Sequence, residues 1–313
     1  RYLNPALGFT AGWMFLCAKS ASAATAALGF AGYILTVVGV KGTTARVLLG
    51  LGIVIVLTAV VAGGMRRSNL VNAVIVSSTL IALLVFVVIG STVAFDKGST
   101  SFEPFFPAEG GLTTLLHATA LMFVAYTGYG RIATLGEEVR EPRRTIPRAI
   151  ITTLLATMLL YVSVVAVAVG VLGAGPLSQA TLEAGAPLEV VARQFGLPGI
   201  DWLIALAAIL AMAGVLLNLL LGLSRVMLAM GRRRDLPSGL AKVDEKQSPR
   251  RAVIATGLLI AALVSIGSVK TTWSFSAFTV LVYYALTNLS ALRLPAEQRR
   301  FPRLFSWAGL VSC

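Results

Sequence analysis

Long apolar runs, separated by short polar connections, dominate this chain of 313 residues. A helix needs about 20 apolar residues to cross the hydrocarbon core of a bilayer. Runs of about that length predict eight membrane spans, at residues 8–36, 46–64, 70–95, 113–135, 149–173, 200–230, 252–268 and 273–292. A ninth run begins near residue 303, and no alternation of apolar and polar positions indicates strands. The pattern therefore predicts an all-α transmembrane helix bundle.

Composition and the placement of charge agree with a membrane protein. Hydrophobic residues make up 57% of the chain and charged residues 12%, which is more apolar surface than a water-soluble protein of this length can bury. If the N-terminal end of the chain is cytoplasmic and the spans alternate, the cytoplasmic connections hold 20 of the 26 lysine and arginine residues. The positive-inside rule supports this orientation. It also accounts for the net charge of +13 without a nucleic-acid partner.

The two ends of the chain and its few catalytic or metal-binding residue types indicate what kind of membrane protein to expect. The chain opens on RYLNP, without a methionine, and closes on FSWAGLVSC within an apolar run. We therefore expect residues 1–313 to be one transmembrane domain, a fragment with about eight complete spans and a truncated ninth. Cys17 and Cys313 both lie in apolar runs, which predicts neither a disulfide framework nor a metal site. With no cluster of histidine, cysteine and carboxylate residues, we expect no cofactor and no enzymatic activity.

The outer connection at residues 175–199 alternates polar and apolar positions. Leu188, Val191, Ala192 and Phe195 recur at helical spacing, which predicts a short amphipathic helix over the outer mouth. A lid and a merely well-packed loop are both compatible with this pattern.

Residues 123–130, FVAYTGYG, place two glycines inside the fourth predicted span. A glycine in a helix interior costs about 1 kcal/mol relative to alanine. In lipid, a broken helix is tolerated only where it lines a cavity or is buried in protein, and secondary transporters bind substrate at such breaks. Gly128 and Gly130 would free the main chain there, and Ala125, Tyr126 and Thr127 would offer carbonyls, amides and a hydroxyl. Alternatively, the glycines let a neighbouring helix pack closely.

The stretch GYGRIATLGEEVREPRRTIPRAI resembles the sixth-helix signature of the amino acid–polyamine–organocation (APC) superfamily. Other stretches resemble that superfamily in the same order. RYLNPALGFTAGW is similar to the start of its third helix, APLEVVARQFG to its outer loop between helices seven and eight, and GLSRVMLAMGRRRDLPSGLAKV to the end of its eighth helix. Together the matches cover nearly the whole chain.

The resemblance implies a leucine-transporter-like fold of two inverted repeats, here incomplete because the chain runs from about the third to the eleventh helix. It implies a substrate site between the first and sixth helices. The matching residues here are Phe123, Val124, Ala125, Tyr126, Thr127, Gly128, Tyr129 and Gly130. Val124 stands where many relatives hold a gating aromatic residue, and Gly130 where relatives often hold an acid. The resemblance therefore does not predict which amino acid side chains the site selects.

Five further residues are candidates for coupling or gating: Lys19, Thr79, Glu137, Glu138 and Asn218. Thr79 aligns with a lysine that couples protons in some relatives, and it would bond either a carbonyl of the missing first helix or its own helix. Asn218 lies near the positions where sodium-linked folds place ion ligands, but no pair of hydroxyl residues accompanies it, which disfavours sodium coupling. Glu137 and Glu138 would pair with nearby arginines at the inner gate or remain solvated.

Lys19 is predicted to lie near mid-bilayer, because a rise of about 1.5 Å per residue from Gly8 puts it roughly 16 Å into the membrane. A lysine at such a depth usually faces the bundle interior, and snorkelling is the alternative. We expect Lys19 to take over the coupling role that is vacant at Thr79, or to bind an anionic part of the substrate.

These observations predict a secondary active transporter or exchanger that moves amino acids across the plasma membrane by alternating access. Its partners would be a small amino acid substrate, the lipid bilayer and protons as the candidate coupling ion. An amino-acid sensor that keeps the fold without transport, or a polyamine or organocation transporter, is the alternative.

Overall fold

The structure, a computed structural model, describes residues 3–64, 69–103, 111–129, 141–183, 185–244, 249–299 and 301–313. Within these ranges the backbone is helical and contains no strand. The α-helices are α1 Pro5–Val38, α2 Thr43–Ala62, α3 Asn69–Lys97, α4 Gly111–Tyr126, α5 Pro142–Leu172, α6 Ala174–Glu183, α7 Pro187–Ala192, α8 Ile200–Arg232, α9 Arg250–Val264, α10 Val269–Leu292 and α11 Arg303–Ser312.

Six of these helices are long and apolar enough to cross a membrane, namely α1, α2, α3, α5, α8 and α10. The prediction of an all-α transmembrane bundle is therefore confirmed, and the protein is a multi-pass membrane protein. The helix at the seventh predicted span, 252–268, is shorter than predicted. This helix, α9, has 15 residues and ends at Val264, because Gly267 adopts φ +74° and the Ser268 side chain caps the start of α10.

The helix α5 begins seven residues before its predicted start at 149. Pro142 occupies its first turn, where a missing N–H has no helical partner to lose. Pro147 lies inside the helix, five residues after Pro142. Pro249 and Pro302 directly precede α9 and α11.

The chain forms two compact units, one of residues 1–73 with 211–313 and one of residues 74–210. In the first unit α1 packs against α2, α9 and α10. Its middle is rich in buried alanine, and such small side chains let membrane helices approach closely. The buried cluster of this unit combines Leu16 and Leu28 of α1 with Val54 of α2, Leu220 of α8 and Ile260 of α9.

A line of hydroxyl groups, the hydroxyl seam, joins α1 to α10 in the first unit. Ser22 Oγ lies 2.9 Å from Ser276 Oγ, and Thr25 Oγ1 lies 2.8 Å from Thr272 Oγ1. Ser276 Oγ also donates to the Ala18 carbonyl at 2.9 Å. The two helices are thus held by small side chains and by hydrogen bonds between them.

The second unit packs α3 against α5 and against the connection at residues 175–199, the predicted outer loop. Phe86 of α3 is fully buried, and its ring centroid lies 5.2 Å from that of Phe195. Gly90 makes this contact possible, because a Cβ there would lie 2.3 Å from Val167 Cγ1 and 2.6 Å from Phe195 Cζ. At the C-terminal end of α3, Lys97 Nζ donates to the Val171 carbonyl at 2.8 Å.

Candidate functional site

The α-helix of the fourth span ends at Tyr126, and residues 127–129 continue as a 3₁₀ turn. Thr127 contributes to this change, because its hydroxyl donates to the Val124 carbonyl at 2.7 Å and so competes with the α-helical bonding pattern. Gly128 follows with a low intrinsic helix propensity. Residues 130–135 of the predicted span, which include Gly130, lie outside the described residues, as do Glu137 and Glu138.

The glycine of this turn borders open space. Gly128 is exposed, and no described atom lies within 4 Å of the position that a Cβ would take. Val124 and Thr127 are buried, at 5% and 3% exposure, so the segment is anchored on one side and open on the other. The alternative that Gly128 accommodates a closely packed helix finds no neighbour in the described part of the chain.

Tyr126 carries the aromatic side chain at the helix end. Its ring centroid lies 5.3 Å from that of Tyr161 on α5, with the planes tilted by 59°. Phe123, Ala125 and Tyr129 are each half-buried. Tyr161 was not among the predicted site residues, although it is the one aromatic residue in the apolar run 149–173.

The coupling candidates lie on three other helices. Thr79 Oγ1 donates to the Ile75 carbonyl at 2.8 Å, which corresponds to one of its two predicted alternatives, a bond within its own helix. Asn218 Nδ2 donates to Asn72 Oδ1 at 3.0 Å. Asn72 was missed, although a lone amide near the start of the apolar run 70–95 indicates an interhelical hydrogen bond.

Lys19 lies near the middle of α1 and is half-buried. The helix begins at Pro5, so Lys19 is about 21 Å along the helix axis at about 1.5 Å per residue. Its neighbours Ala18 and Ser20 are both fully buried. The position is therefore well inside a 34-residue membrane helix rather than at its end.

The outer loop contains two short helices, α6 and α7, with Gly185 at φ +69° between them. The helix predicted from Leu188 to Phe195 corresponds to α7 and the 3₁₀ turn that follows it. The predicted apolar face is present. Val191 and Ala192 are fully buried, Phe195 is 7% exposed and Leu188 packs against the same cluster.

A buried ion pair in this loop was missed. The Glu189 side chain is 2% exposed, and Arg193 Nη2 donates to its Oε1 at 2.6 Å. Arg193 Nε also lies 4.0 Å from Asp201 Oδ2. Burial raises the pKa of the Glu189 carboxyl above its ordinary value, while the hydrogen bond from Arg193 opposes this rise. The spacing of four residues between Glu189 and Arg193 would have predicted this ion pair, because residues four apart lie side by side on a helix.

Comparison with known proteins decides the family. The family model described as "Amino acid permease" matches residues 1–304. The chain belongs to the amino acid permease family.

Relatives of this permease agree with that assignment. An uncharacterized transporter of Mycobacterium tuberculosis is 37% identical over 98% of this chain and 67% of its own length. The branched-chain amino acid permease BcaP of Bacillus subtilis is 27% identical over 98% of this chain and 68% of its own length. The vacuolar cationic amino acid transporter 2 of Arabidopsis thaliana is 27% identical over 80% of this chain and 39% of its own length. The permease chain thus spans about two thirds of the first two relatives.

The two units divide the predicted site residues of the permease. The helix end at 123–129 and Thr79 belong to the unit of residues 74–210. Lys19 and Asn218 belong to the other unit. Within its own unit, each group has structural neighbours, Tyr161 for the helix end and Asn72 for Asn218.

Proposed function

We propose that this permease is a secondary active transporter or exchanger that moves amino acids across the plasma membrane by alternating access. The substrate would bind where α4 ends, at residues 123–130. The observation that carries the proposal is the termination of the α-helix at Tyr126, followed by the open position Gly128. Family membership and the permeases among its relatives support amino acids as the substrate class.

The chemistry of a helix end suits this substrate. The last carbonyls of an α-helix have no partner within the helix, and the helix dipole adds partial negative charge there. The main chain near Ala125 and Tyr126 would therefore attract the α-ammonium group of an amino acid. The same carbonyls would accept the ammonium groups of a polyamine, so substrate class must be tested directly.

The direct test is uptake by the full-length protein in proteoliposomes. Labelled leucine, arginine and putrescine would be offered with and without a pH gradient, and with the internal solution containing or lacking amino acid. We expect amino acid uptake that a preloaded amino acid accelerates. Putrescine uptake alone would favour the organocation alternative. Saturable amino acid binding without uptake of any of the three would establish a sensor and contradict the proposal.

Lys19 is the proposed coupling residue, since no acidic residue of the chain is predicted at mid-span. The superfamily resemblance also implies that Thr79 stands where some members hold a coupling lysine. The position of Lys19 near the middle of α1, with small side chains around it, supports its role. We expect Lys19→Met in the full-length protein to change the dependence of uptake on pH or on a substrate carboxylate. Uptake with the parental rate, pH profile and substrate preference would exclude Lys19 from coupling.

A further inference from the structure

The packed face of α5 extends one helical turn beyond the buried cluster of the second unit. Val164, Ala168 and Val171 recur on this face at spacings of three and four residues, and all three are buried. They share a cluster with Phe86 of α3. Tyr161 lies three residues before Val164 and so belongs to the same face of α5. The ring of Tyr161 contacts the end of α4.

This contact joins two tyrosine rings within one unit. The ring centroids of Tyr126 and Tyr161 are 5.3 Å apart and their planes are tilted by 59°, a geometry typical of favourable aromatic pairs. Tyr126 is the last residue of α4. Its ring and its carbonyl share one Cα atom, so a restraint on the ring also restrains the main chain at the helix end.

The end of α4 is held on two faces. Val124 and Thr127 are buried on one face, where the Thr127 hydroxyl donates to the Val124 carbonyl at 2.7 Å. At 3.6 residues per turn, Tyr126 lies about 160° around the helix from Val124. Tyr161 therefore restrains a face of α4 that the other two residues do not. Gly128 follows two residues later and borders open space.

We propose that Tyr161 is a positioning residue of the substrate site. It holds the Tyr126 ring, and through that ring it fixes the main-chain carbonyls at the end of α4. This inference rests on the proposed function, in which those carbonyls attract the α-ammonium group of an amino acid. Because Tyr161 acts through Tyr126 and the ammonium is common to amino acids, Tyr161 sets affinity without selecting among substrate side chains.

Equilibrium binding of labelled leucine and labelled arginine to the purified full-length protein tests this role. We expect Tyr161→Leu to weaken the binding of each amino acid that the parent binds by about fivefold, the factor that corresponds to the loss of one aromatic pair. Tyr161→Phe keeps the ring and should restore the parental affinity.

A second aromatic pair in the same unit supplies a matched control. The ring centroids of Phe86 and Phe195 are 5.2 Å apart with planes tilted by 51°, close to the geometry of the tyrosine pair. Phe86→Leu removes this pair from the buried cluster and should lower stability. It should leave amino acid affinity unchanged, because the pair does not include a residue of α4.

A double-mutant cycle tests whether Tyr161 acts through Tyr126. Once Tyr126→Leu has removed the first ring, Tyr161→Leu should weaken binding no further, because residues that act through one contact are not additive. Amide hydrogen exchange of residues 123–129 gives a second measurement that needs no substrate. Exchange there should be about fivefold faster in Tyr161→Leu than in the parent, and parental in Phe86→Leu.

The outcomes separate this inference from the proposed function. A parent protein that binds no amino acid would contradict the proposed function itself. A parent that binds, together with a Tyr161→Leu variant of parental affinity, would overturn the positioning role alone. The role is also overturned if the effects of Tyr126→Leu and Tyr161→Leu are additive, if Phe86→Leu weakens binding equally, or if only one of two bound amino acids is affected. In the last case Tyr161 would contact the substrate side chain directly.

Discussion

The hydroxyl seam of α1 and α10 and the ion pair of the outer loop bury polar groups in opposite ways. In the seam, Ser276 is 1% exposed and neutral, and its hydroxyl bonds both a carbonyl of α1 and Ser22. In the loop, Glu189 is 2% exposed, and its Oε1 bonds to Arg193. Its Oε2 is buried with no hydrogen-bond partner in the described part of the chain.

The two regions differ in the partner that offsets the cost of burying a polar group. A buried hydroxyl finds an acceptor in a helix carbonyl, so it can be placed wherever two helices approach. A buried carboxylate depends on a counter-charge, and removing that counter-charge leaves an uncompensated buried charge. The outer loop should therefore depend on a single arginine and on pH, whereas the seam should depend on neither.

The largest expected effect follows from removing the counter-charge. Arg193→Gln leaves Glu189 buried without its ion pair, and we expect a loss of about 3 kcal/mol in unfolding free energy at neutral pH, at the lower end for buried pairs because Arg193 is half-exposed. Thermal unfolding in detergent would measure this loss. Arg144→Gln is the control, because Arg144 and Glu141 are more than 70% exposed, and it should change stability little. Equal effects of the two variants would contradict the comparison.

The second effect is a dependence on pH. Because burial raises the pKa of the Glu189 carboxyl in the folded protein, the stabilisation from its protonated form is fully present below the unfolded pKa of about 4.3. That stabilisation is lost as pH rises through the higher folded pKa. Glu189→Gln carries no such proton, so the parent protein should lose stability relative to this variant across that window. Parallel stability curves for parent and variant would show that Glu189 does not titrate there.

The smallest effect is expected in the seam. Ser276→Ala removes a hydrogen bond to Ala18 and one with Ser22, and interhelical hydrogen bonds in membranes average about 0.6 kcal/mol. We expect a loss of about 1 kcal/mol that does not change with pH. Ser265→Ala, which removes only an exposed bond to its own helix, is the control and should be nearly neutral. A loss as large as that of Arg193→Gln would erase the distinction between the two regions.

Helix positions were largely predictable from the sequence, because long apolar runs have few alternatives in a bilayer. The predicted span 70–95, for example, is found as Asn69–Lys97. The inward face of the outer loop was also predictable from spacing, at Val191 and Phe195. The sequence could not show that Glu189 is buried, because the same spacing of Glu189 and Arg193 is also found on solvent-exposed helix faces. Burial there results from packing against residues distant in sequence.

Only the local part of the candidate site was predictable, because contacts with residues distant in sequence leave no local pattern. The glycines of residues 123–130 predicted an interruption, and the α-helix ends at Tyr126. The partners of the site residues come from other helices, as Tyr161 and Asn72 show, and pairing between helices is not encoded in the local pattern. The single-domain prediction and the inverted-repeat detail remain predictions.

The central claim is that substrate binds to the open main chain where α4 ends. Its most direct test is uptake of labelled amino acid by full-length Gly128→Leu in proteoliposomes, compared with Gly52→Leu. Both glycines border open space, but Gly52 lies within the continuous helix α2. We predict that Gly128→Leu abolishes uptake with normal membrane insertion, while Gly52→Leu retains it. Parental uptake by Gly128→Leu would contradict the account.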